Sequence, residues 1–330
     1  MKRILITGAS GFIGGFLVEK AISLNFEVYA GVRKNSDIEY LKNTPSVLFE
    51  ADLSDKRAII SKLEQFEKFD FIIHNAGITK TCNNKLFYEV NVKNTKNLIE
   101  ALYETNRVPE KFIYISSLAA CGPGLNGNTP VQLSDEPKPV SFYGASKLDA
   151  ERYIKSLPHF PYLIFRPTGV YGPREKDFLV MFKSLNHGLE TYIGSSVQYL
   201  SFVYVKDLTH LLLIALTSNK VQRTYFVSDL NNYTAKAFNL IAKKELNTKT
   251  IRIILPKFLV KSIAVIFDRI SCAFNFPPPT LNIDKFKEIS QQNWLCDSSQ
   301  LVSDFGFVPE YNLKKGIKET IKWYKNKQIL

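Results

Sequence analysis

The sequence has few of the residues that bind metals or form disulfides. It contains four cysteines and four histidines in 330 residues. The cysteines form no Cys-x-x-Cys pair, and no histidine lies at ligand spacing from them, so no metal site is predicted. The chain runs from Met1-Lys2-Arg3 directly into a strand-like segment, with no signal peptide ahead of it. We therefore expect a cytoplasmic protein with free thiols.

Blocks of like charge are also missing, although the formal net charge is +12. The lysines and arginines are scattered, with no run of five or more, and the usual nucleic-acid-binding modules are absent. We therefore predict no nucleic-acid partner. The positive charge is attributed to a basic surface and to binding of an anionic cofactor.

The chain lacks an apolar run that is long enough to cross a bilayer, which takes about 20 residues. The most apolar segment, Ile251–Phe274, is interrupted by four charged residues: Lys257, Lys261, Asp268 and Arg269. An amphipathic helix that caps a substrate-binding lobe is the favoured interpretation. A helix that contacts a membrane at its interface is the alternative.

The first half of the chain alternates short apolar runs with helical patterns. Predicted strands cover Lys2–Thr7, Glu27–Val32, Ser46–Glu50, Asp70–Asn75, Lys111–Ser116 and Pro161–Arg166, and the clearest helices cover Phe12–Leu24, Asn84–Asn106 and Phe142–Leu157. This alternation predicts an α/β fold with a Rossmann-type, doubly wound parallel sheet. In such sheets ligands bind at the carboxyl ends of the strands.

A glycine-rich turn joins the first strand to its helix. It reads Thr7-Gly8-Ala9-Ser10-Gly11-Phe12-Ile13-Gly14. The three glycines suit a tight turn, a close approach to a pyrophosphate and close packing of helix on sheet. We predict that Gly8, Ser10, Gly11, Phe12, Ile13 and Gly14 bind a dinucleotide at the helix N-terminus.

The end of the second strand bears on the choice between NADP and NAD. It reads Gly31-Val32-Arg33-Lys34, without the acidic residue that would bond the ribose 2′-hydroxyl of NAD. Arg33 suits a 2′-phosphate, so NADP is favoured over NAD. Asp52 and Leu53 follow the third strand and are predicted to bind the cofactor. Asp52 is expected to accept from the adenine amino group, to cap the next helix, or to do both.

The segment Tyr143-Gly144-Ala145-Ser146-Lys147 places a phenol and an ammonium on one helix face. A nearby cation lowers the pKa of a phenol, so Tyr143 is predicted to be a general acid/base that is assisted by Lys147. The pair Ser116-Ser117 ends the fifth strand and supplies a hydroxyl that would hold the reacting oxygen.

These motifs occur in the order seen in extended short-chain dehydrogenases/reductases, the NAD(P)-dependent epimerase/dehydratase superfamily, which the chain resembles over most of its length. The resemblance rests on the glycine turn, Asp52-Leu53, His74-Asn75-Ala76-Gly77, Ser116-Ser117, the YGASK segment and Arg166–Pro173. It implies that Ser117, Tyr143 and Lys147 are catalytic, and that Ala76, Asn91 and Pro167 contact the cofactor. His74 and Asn94 depart from the usual pattern.

The resemblance also implies a division of the chain and an oligomeric state. We predict a cofactor-binding domain over residues 1–166, to which a later strand returns, and a smaller substrate-binding lobe over 167–330. The helices Asn84–Asn106 and Phe142–Leu157 are where relatives commonly pair, so a homodimer is predicted.

The substrate class stays open between branches of the superfamily. Leu200 stands where the nucleotide-sugar branch usually carries an arginine, and the apolar 251–274 segment is similar to the 3β-hydroxysteroid-dehydrogenase and dihydroflavonol-reductase branches. The favoured interpretation is an oxidoreductase for a secondary alcohol or ketone of a small, fairly apolar molecule. A nucleotide-sugar 4-epimerase or dehydratase is the alternative, and a non-catalytic NADP sensor or scaffold is a third.

Overall fold

The computed structural model describes residues 1–125, 127–274 and 276–330. Its strands follow one another along the chain as β1 (Arg3–Thr7), β2 (Glu27–Val32), β3 (Val47–Glu50), β4 (Phe71–His74), β5 (Lys111–Ile115), β6 (Tyr162–Pro167), β7 (Gly169–Tyr171), β8 (Leu189–Ile193), β9 (Tyr199–Leu200), β10 (Phe202–Tyr204), β11 (Arg223–Val227), β12 (Tyr233–Thr234), β13 (Ile251–Leu255) and β14 (Asn293–Trp294). The six strands that the sequence predicts are confirmed, each to within one residue at either end.

The α-helices occupy the segments between the strands and the C-terminal region. They are α1 (Phe12–Ser23), α2 (Lys56–Glu64), α3 (Asn84–Tyr88), α4 (Asn94–Glu104), α5 (Phe142–Ser156), α6 (Asp177–Asn186), α7 (Val205–Leu216), α8 (Ala235–Leu246), α9 (Lys257–Ala273), α10 (Ile283–Ile289), α11 (Gln300–Phe305) and α12 (Leu313–Asn326).

Seven parallel strands form the central sheet, in the order β11-β6-β5-β4-β1-β2-β3. Side chains that alternate along β1 supply both faces: Ile4 and Ile6 pack with α1 and α7, whereas Leu5 packs with α2, α4 and α5. The predicted Rossmann-type, doubly wound sheet is confirmed. The strand order reverses between β1 and β4, so the carboxyl ends of these two strands border the crevice in which such sheets bind ligands.

The C-terminal part of the chain contributes to both the sheet and a separate set of short strands. The strand β11 pairs with β6 in the central sheet. Elsewhere β7 pairs with β10, β9 pairs with β12 and β14, and β8 pairs with β13. The division at residue 166 stays a prediction, as does the homodimer.

The apolar segment 251–274 is not one helix throughout. Its first five residues form β13, which pairs with β8, and the helix α9 begins only after Pro256. Alternating β-branched residues and the proline favour the strand at the start. Among the described residues, no helix has the length and apolar character needed to cross a membrane.

The predicted helix Asn84–Asn106 contains a wider turn that the sequence pattern did not reveal. Residues Glu89–Lys93 form a π-helical turn between α3 and α4. This turn holds Asn91 inside the protein, where its side-chain amide bonds to both backbone groups of Ile78. Such turns are frequent at functional sites.

The closest packing of α1 on the sheet depends on Gly14. A Cβ atom at Gly14 would lie 2.1 Å from the backbone oxygen of Gly8, whereas one at Gly15 would first meet the movable end of the Arg174 side chain, at 3.3 Å. We predict that Gly14→Ala destabilises the protein by about 1–3 kcal/mol through overpacking. The control Gly15→Ala is expected to be neutral, or to stabilise by up to about 1 kcal/mol.

Chemical denaturation of the two variants measures this difference. Equal stability of Gly14→Ala and Gly15→Ala would contradict the close packing of α1 against the glycine turn.

Candidate active site

The glycine turn between β1 and α1 forms an open cradle. Gly8 has a positive φ of 67°, and a Cβ there would lie 2.9 Å from the backbone of Ala76. Gly11 is the N-cap of α1, and no side chain of the described residues caps that end. Ser10, Phe12 and Ile13 are half-buried beside it. The free N–H groups and the positive end of α1 therefore fit the pyrophosphate of a dinucleotide.

Two charged residues lie beyond the ends of β2 and β3. Arg33 is exposed directly after β2, and Asp52 is exposed after β3. Hydrogen bonds from Ser54, with a smaller contribution from the Arg33 charge, hold the pKa of Asp52 below its usual range. Asp52 is not the cap of the next helix, which was one of its predicted roles. Asp55 caps α2, because its carboxylate accepts from Arg57 and Ala58.

Tyr143 and Ser117 lie together at the carboxyl edge of the sheet. Tyr143 is half-buried in the first turn of α5, and Ser117 begins the short 3₁₀ turn Leu118–Ala120 after β5. Burial raises the pKa of the Tyr143 phenol, and the neighbouring Ser117 hydroxyl lowers it by less. Ser116 points elsewhere and donates its hydroxyl to Glu151. Ser117, and not Ser116, is thus placed to share a reacting oxygen with Tyr143.

The contact between α5 and the 3₁₀ turn requires Gly144. A Cβ atom at this position would lie 2.3 Å from the backbone oxygen of Ala119. Any side chain would separate the helix from the turn and move Tyr143 away from Ser117. The glycine of the YGASK segment is therefore explained by close packing.

Lys147 is buried one helical turn after Tyr143. Its ammonium donates to the backbone oxygen of Ile115 at 2.7 Å and lies 4.6 Å from the centre of the Tyr114 ring. Burial lowers the pKa of Lys147 to about 8, while the Glu151 carboxylate raises it by less. Lys147 is therefore mostly charged at neutral pH.

The expected lowering of the Tyr143 pKa is not produced by the chain's own groups. Its pKa lies above, not below, the ordinary value, because removal of the phenolate from water outweighs the effect of the Ser117 hydroxyl. A stable phenolate at this position needs additional positive charge, which an oxidised nicotinamide ring would supply.

A buried ion pair beneath the site was not found from the sequence. Glu151 is fully buried and accepts from the Arg166 guanidinium at 2.9 and 2.7 Å. The same carboxylate accepts from Ser116 and lies on α5, one turn after Lys147. Glu151 therefore joins the end of β5, the helix α5 and β6. The sequence shows that Glu151 lies one helical turn after Lys147, but it does not show that Arg166 on β6 is the partner of Glu151.

Two carboxylates from α10 hold the start of α5, the helix that carries Tyr143 and Lys147. Asp284 accepts from the backbone N–H groups of Phe142 and Tyr143 at 2.7 and 3.0 Å. Glu288 accepts from the Ser141 hydroxyl, which in turn caps α5. Negative charge stabilises a helix N-terminus, so α10 fixes the position of Tyr143. No local sequence signal links residues so far apart in the chain.

His74 connects the cofactor turn to the interior. The Thr7 side chain accepts from the Ala76 N–H at 3.1 Å and bonds to Nδ1 of His74 at 2.8 Å. On the other side Nε2 bonds to Thr95, whose hydroxyl donates to the Asn91 backbone oxygen. These roles are all satisfied by a neutral ring that carries its proton on Nε2. Burial lowers the pKa of His74 to about 3.

The remaining predicted cofactor residues lie around this chain of hydrogen bonds. Ala76 packs against Gly8, and Pro167 ends β6. The Asn91 side chain is buried and engaged with Ile78 and Ser146, so it positions the segment after β4. Direct contacts of Ala76, Asn91 and Pro167 with the cofactor stay predictions.

Arg174 is not placed beside Tyr143. Its guanidinium lies 4.5 Å from the centre of the Phe16 ring and 4.0 Å from that of Tyr40, and it donates to Glu19 on α1. Arg174 follows the Tyr171-Gly172-Pro173 segment, and its position does not support a role in binding an anion on the substrate side.

The buried neutral state of His74 predicts a pH dependence of stability. Below about pH 6.5 the unfolded chain binds a proton at this residue that the folded chain does not bind until about pH 3. Stability should therefore fall by about 1.4 kcal/mol per pH unit as the pH drops through this window. We expect His74→Gln, which can both accept and donate, to remove this contribution.

Urea unfolding between neutral pH and pH 4 measures the effect, and His210→Gln at an exposed position is the control. Parallel stability curves for the wild type and His74→Gln would show that His74 does not carry the difference.

Comparisons with known proteins agree with this geometry. The model of the NAD dependent epimerase/dehydratase family matches residues 4–228. The chain is 28% identical to N-acetyl-alpha-D-glucosaminyl-diphospho-ditrans,octacis-undecaprenol 4-epimerase of Escherichia coli O157:H7, over 97% of this chain and 95% of that one. It is 23% identical to a decarboxylating sterol-4-alpha-carboxylate 3-dehydrogenase of Dictyostelium discoideum, over 97% and 100%.

Among solved structures, UDP-glucose 4-epimerase of Thermotoga maritima with UDP-glucose superposes with a TM-score of 0.80 at 19% identity, over 99% of both chains, which supports the fold. The family match runs from residue 4 to residue 228 and so includes the glycine turn, Ser117, Tyr143 and Lys147. This chain belongs to the NAD-dependent epimerase/dehydratase family and is an enzyme of the extended short-chain dehydrogenase/reductase type.

Proposed function

We propose that the protein is a 4-epimerase for a sugar carried on a diphosphate, and that it oxidises and re-reduces one carbinol carbon with no net use of its nicotinamide cofactor. The observation that carries the proposal is the pairing of the Tyr143 phenol with Ser117 at the cofactor edge of the sheet. The relative from Escherichia coli, matched over nearly the whole of both chains, supports the choice of an epimerase.

The bound nicotinamide supplies hydride acceptance and return at the carbinol carbon. Tyr143 takes the hydroxyl proton as the carbinol becomes a ketone, and gives it back when the carbon is reduced on its other face. Ser117 would hold the reacting oxygen, because its hydroxyl is close enough to the Tyr143 phenol to lower its pKa. The phenolate that takes this proton would be favoured by the oxidised nicotinamide, and the Lys147 ammonium adds positive charge to the same region one helical turn along α5.

Atoms and charge balance over this cycle. One C–H bond and one O–H bond break in the oxidation, and both form again in the reduction. The Tyr143 phenolate, the Lys147 ammonium and the cofactor all return to their starting states. The only net change is the configuration of the carbinol carbon.

A second candidate function is favoured by one residue. Leu200 in β9 stands where the nucleotide-sugar branch usually carries an arginine, and so offers no charged donor to a diphosphate. This departure suits an apolar alcohol or ketone, and the sterol dehydrogenase relative points the same way. Such an enzyme would produce reduced cofactor in proportion to the substrate consumed.

Removal of the Tyr143 hydroxyl tests the catalytic assignment. We predict that Tyr143→Phe lowers kcat by about 10²–10⁴-fold, because the proton then has no acceptor. Binding of the cofactor should change little. Tyr153→Phe on the same helix is the matched control and should retain activity. If Tyr143→Phe turned over substrate as fast as the Tyr153→Phe control, the acid/base role would be ruled out.

The absorbance of the nicotinamide separates the two functions. The cofactor-loaded protein is incubated with diphosphate-linked N-acetylglucosamine or glucose, and the sugars are analysed together with absorbance near 340 nm. The proposal predicts a mixture of two epimers and a constant cofactor signal after the first turnover. Accumulation of reduced cofactor in proportion to product would instead support the dehydrogenase.

We also propose that the cofactor is NADP, a preference that rests on the exposed Arg33 after β2. If Arg33 grips the 2′-phosphate, then Arg33→Ser should weaken NADPH binding by about tenfold or more and leave NADH binding nearly unchanged. Arg57→Ser, on the exposed side of α2, removes the same charge and is the control. Calorimetric titration with both cofactors gives the ratio, and equal losses for NADPH and NADH would contradict the preference.

A further inference from the structure

We propose that the exposed face of α9 binds the surface of an anionic membrane. The proposal concerns a surface outside the catalytic site and holds for either sugar or sterol-like substrates. The face is formed by the helix α9 and by the phenylalanines that follow it, and it is called the α9 face below.

The α9 face is apolar where a soluble protein would present polar side chains. Leu259, Ile266 and Ile270 are 40%, 53% and 45% exposed, and their spacing of seven and four residues places them on one stripe. Three phenylalanines at the two ends of the helix are more exposed still: Phe258 at 73%, Phe274 at 68% and Phe276 at 57%. Contiguous exposed apolar side chains mark an interaction surface.

Only a narrow side of α9 packs on the protein. Val260, Ala264 and Ser271 are its buried residues, and Val260 and Ala264 share a small apolar cluster with Phe286 of α10. This attachment accounts for the helix having a second, unburied apolar stripe. The helix therefore does more than cap the lobe, which was the favoured interpretation of its sequence.

The exposed charges on α9 and on the strand beside it are positive, and Arg269 lies one helical turn from Ile266, next to the stripe. Lys257, Lys261 and Arg269 are exposed on α9, and Arg252 is exposed on the adjacent strand β13. The single acidic residue of the helix, Asp268, is turned inward and accepts from the Ile283 N–H at 2.8 Å. A helix that combines an exposed stripe of large hydrophobic side chains with exposed basic residues, of which Arg269 borders the stripe, fits the interface of an anionic bilayer.

This charge pattern favours a lipid surface over a second copy of the chain. Two copies that met through the α9 face would bring the Arg269 side chains, and two strongly basic chains, together, whereas acidic headgroups would neutralise this charge. The chain's formal net charge of +12 acts in the same direction.

The α9 face is close to α5. The buried side of α9 packs on α10, and Asp284 of α10 accepts from the backbone N–H groups of Phe142 and Tyr143. On its other side, the Cys82 thiol in the segment after β4 lies 3.6 Å from the Ser271 hydroxyl. A membrane bound at this face would therefore lie one short helix away from the start of α5.

Vesicle flotation of the full-length, cofactor-loaded protein tests the proposal. The vesicles are phosphatidylcholine alone, or phosphatidylcholine with about one-third phosphatidylglycerol, at physiological salt. We expect binding to the anionic vesicles and little binding to the neutral ones. The double variant Ile266→Asp/Ile270→Asp should lower the partition coefficient by about tenfold or more.

The matched control is Leu240→Asp/Val302→Asp, which adds the same charge at positions on α8 and α11 that are 56% and 45% exposed. It should bind as the wild type does. Removal of basic charge by Lys261→Gln/Arg269→Gln should weaken binding by about tenfold or more and reduce its salt dependence. All the substituted side chains are exposed, and thermal melts would verify that each variant is folded.

Three results would overturn the proposal. The first is no binding of the wild type to anionic vesicles, and the second is an equal loss in the Leu240→Asp/Val302→Asp control. The third is a wild-type dimer in sedimentation velocity that Ile266→Asp/Ile270→Asp converts to a monomer, without vesicle binding by either protein. That last result would assign the face to a second copy of the chain.

Discussion

At two places in the fold, backbone segments approach each other so closely that no side chain fits between them. These two contacts position the groups of the proposed site. A Cβ at Gly14 would lie 2.1 Å from the Gly8 oxygen, and one at Gly144 would lie 2.3 Å from the Ala119 oxygen. The first contact brings the N-terminus of α1 to the crevice, and the second brings α5 onto the turn that carries Ser117. Because both lie at the carboxyl edge of one parallel sheet, the cofactor cradle and Tyr143 face the same crevice.

A buried polar network keeps these two helices in place. Glu151 bonds to Arg166 and Ser116 beneath α5, and His74 connects Thr7 with Thr95 behind the glycine turn. Loss of one partner from a buried ion pair leaves an uncompensated charge, which costs about 3–5 kcal/mol. Each of these groups has a partner, so the network fixes the positions of α1 and α5 and leaves no unpaired charge among them. The Lys147 ammonium is held by the Ile115 oxygen within the same region.

The sequence was most informative where a function depends on neighbours in the chain. The glycine turn, the Tyr143–Lys147 spacing and the alternation of strands and helices are all local patterns, and the sheet was predicted from them. The roles of Asp284 and Glu288 could not be predicted, because they contact α5 from far along the chain. The π turn at Glu89–Lys93 was missed because its cause is the set of Asn91 contacts with Ile78 and Ser146. The N-cap role left open for Asp52 belongs to Asp55, since both residues precede α2 and only the geometry separates them.

We propose that the enzyme returns hydride to the carbon from which it came, and isotopic labelling tests this most directly. A diphosphate-linked sugar with deuterium at the carbinol carbon is converted by the loaded protein, and the location of the label is read by mass spectrometry and NMR. We predict that both epimers retain the deuterium at that carbon, with none in the solvent. Deuterium that accumulates on released nicotinamide, or that is lost to water, would contradict the central claim.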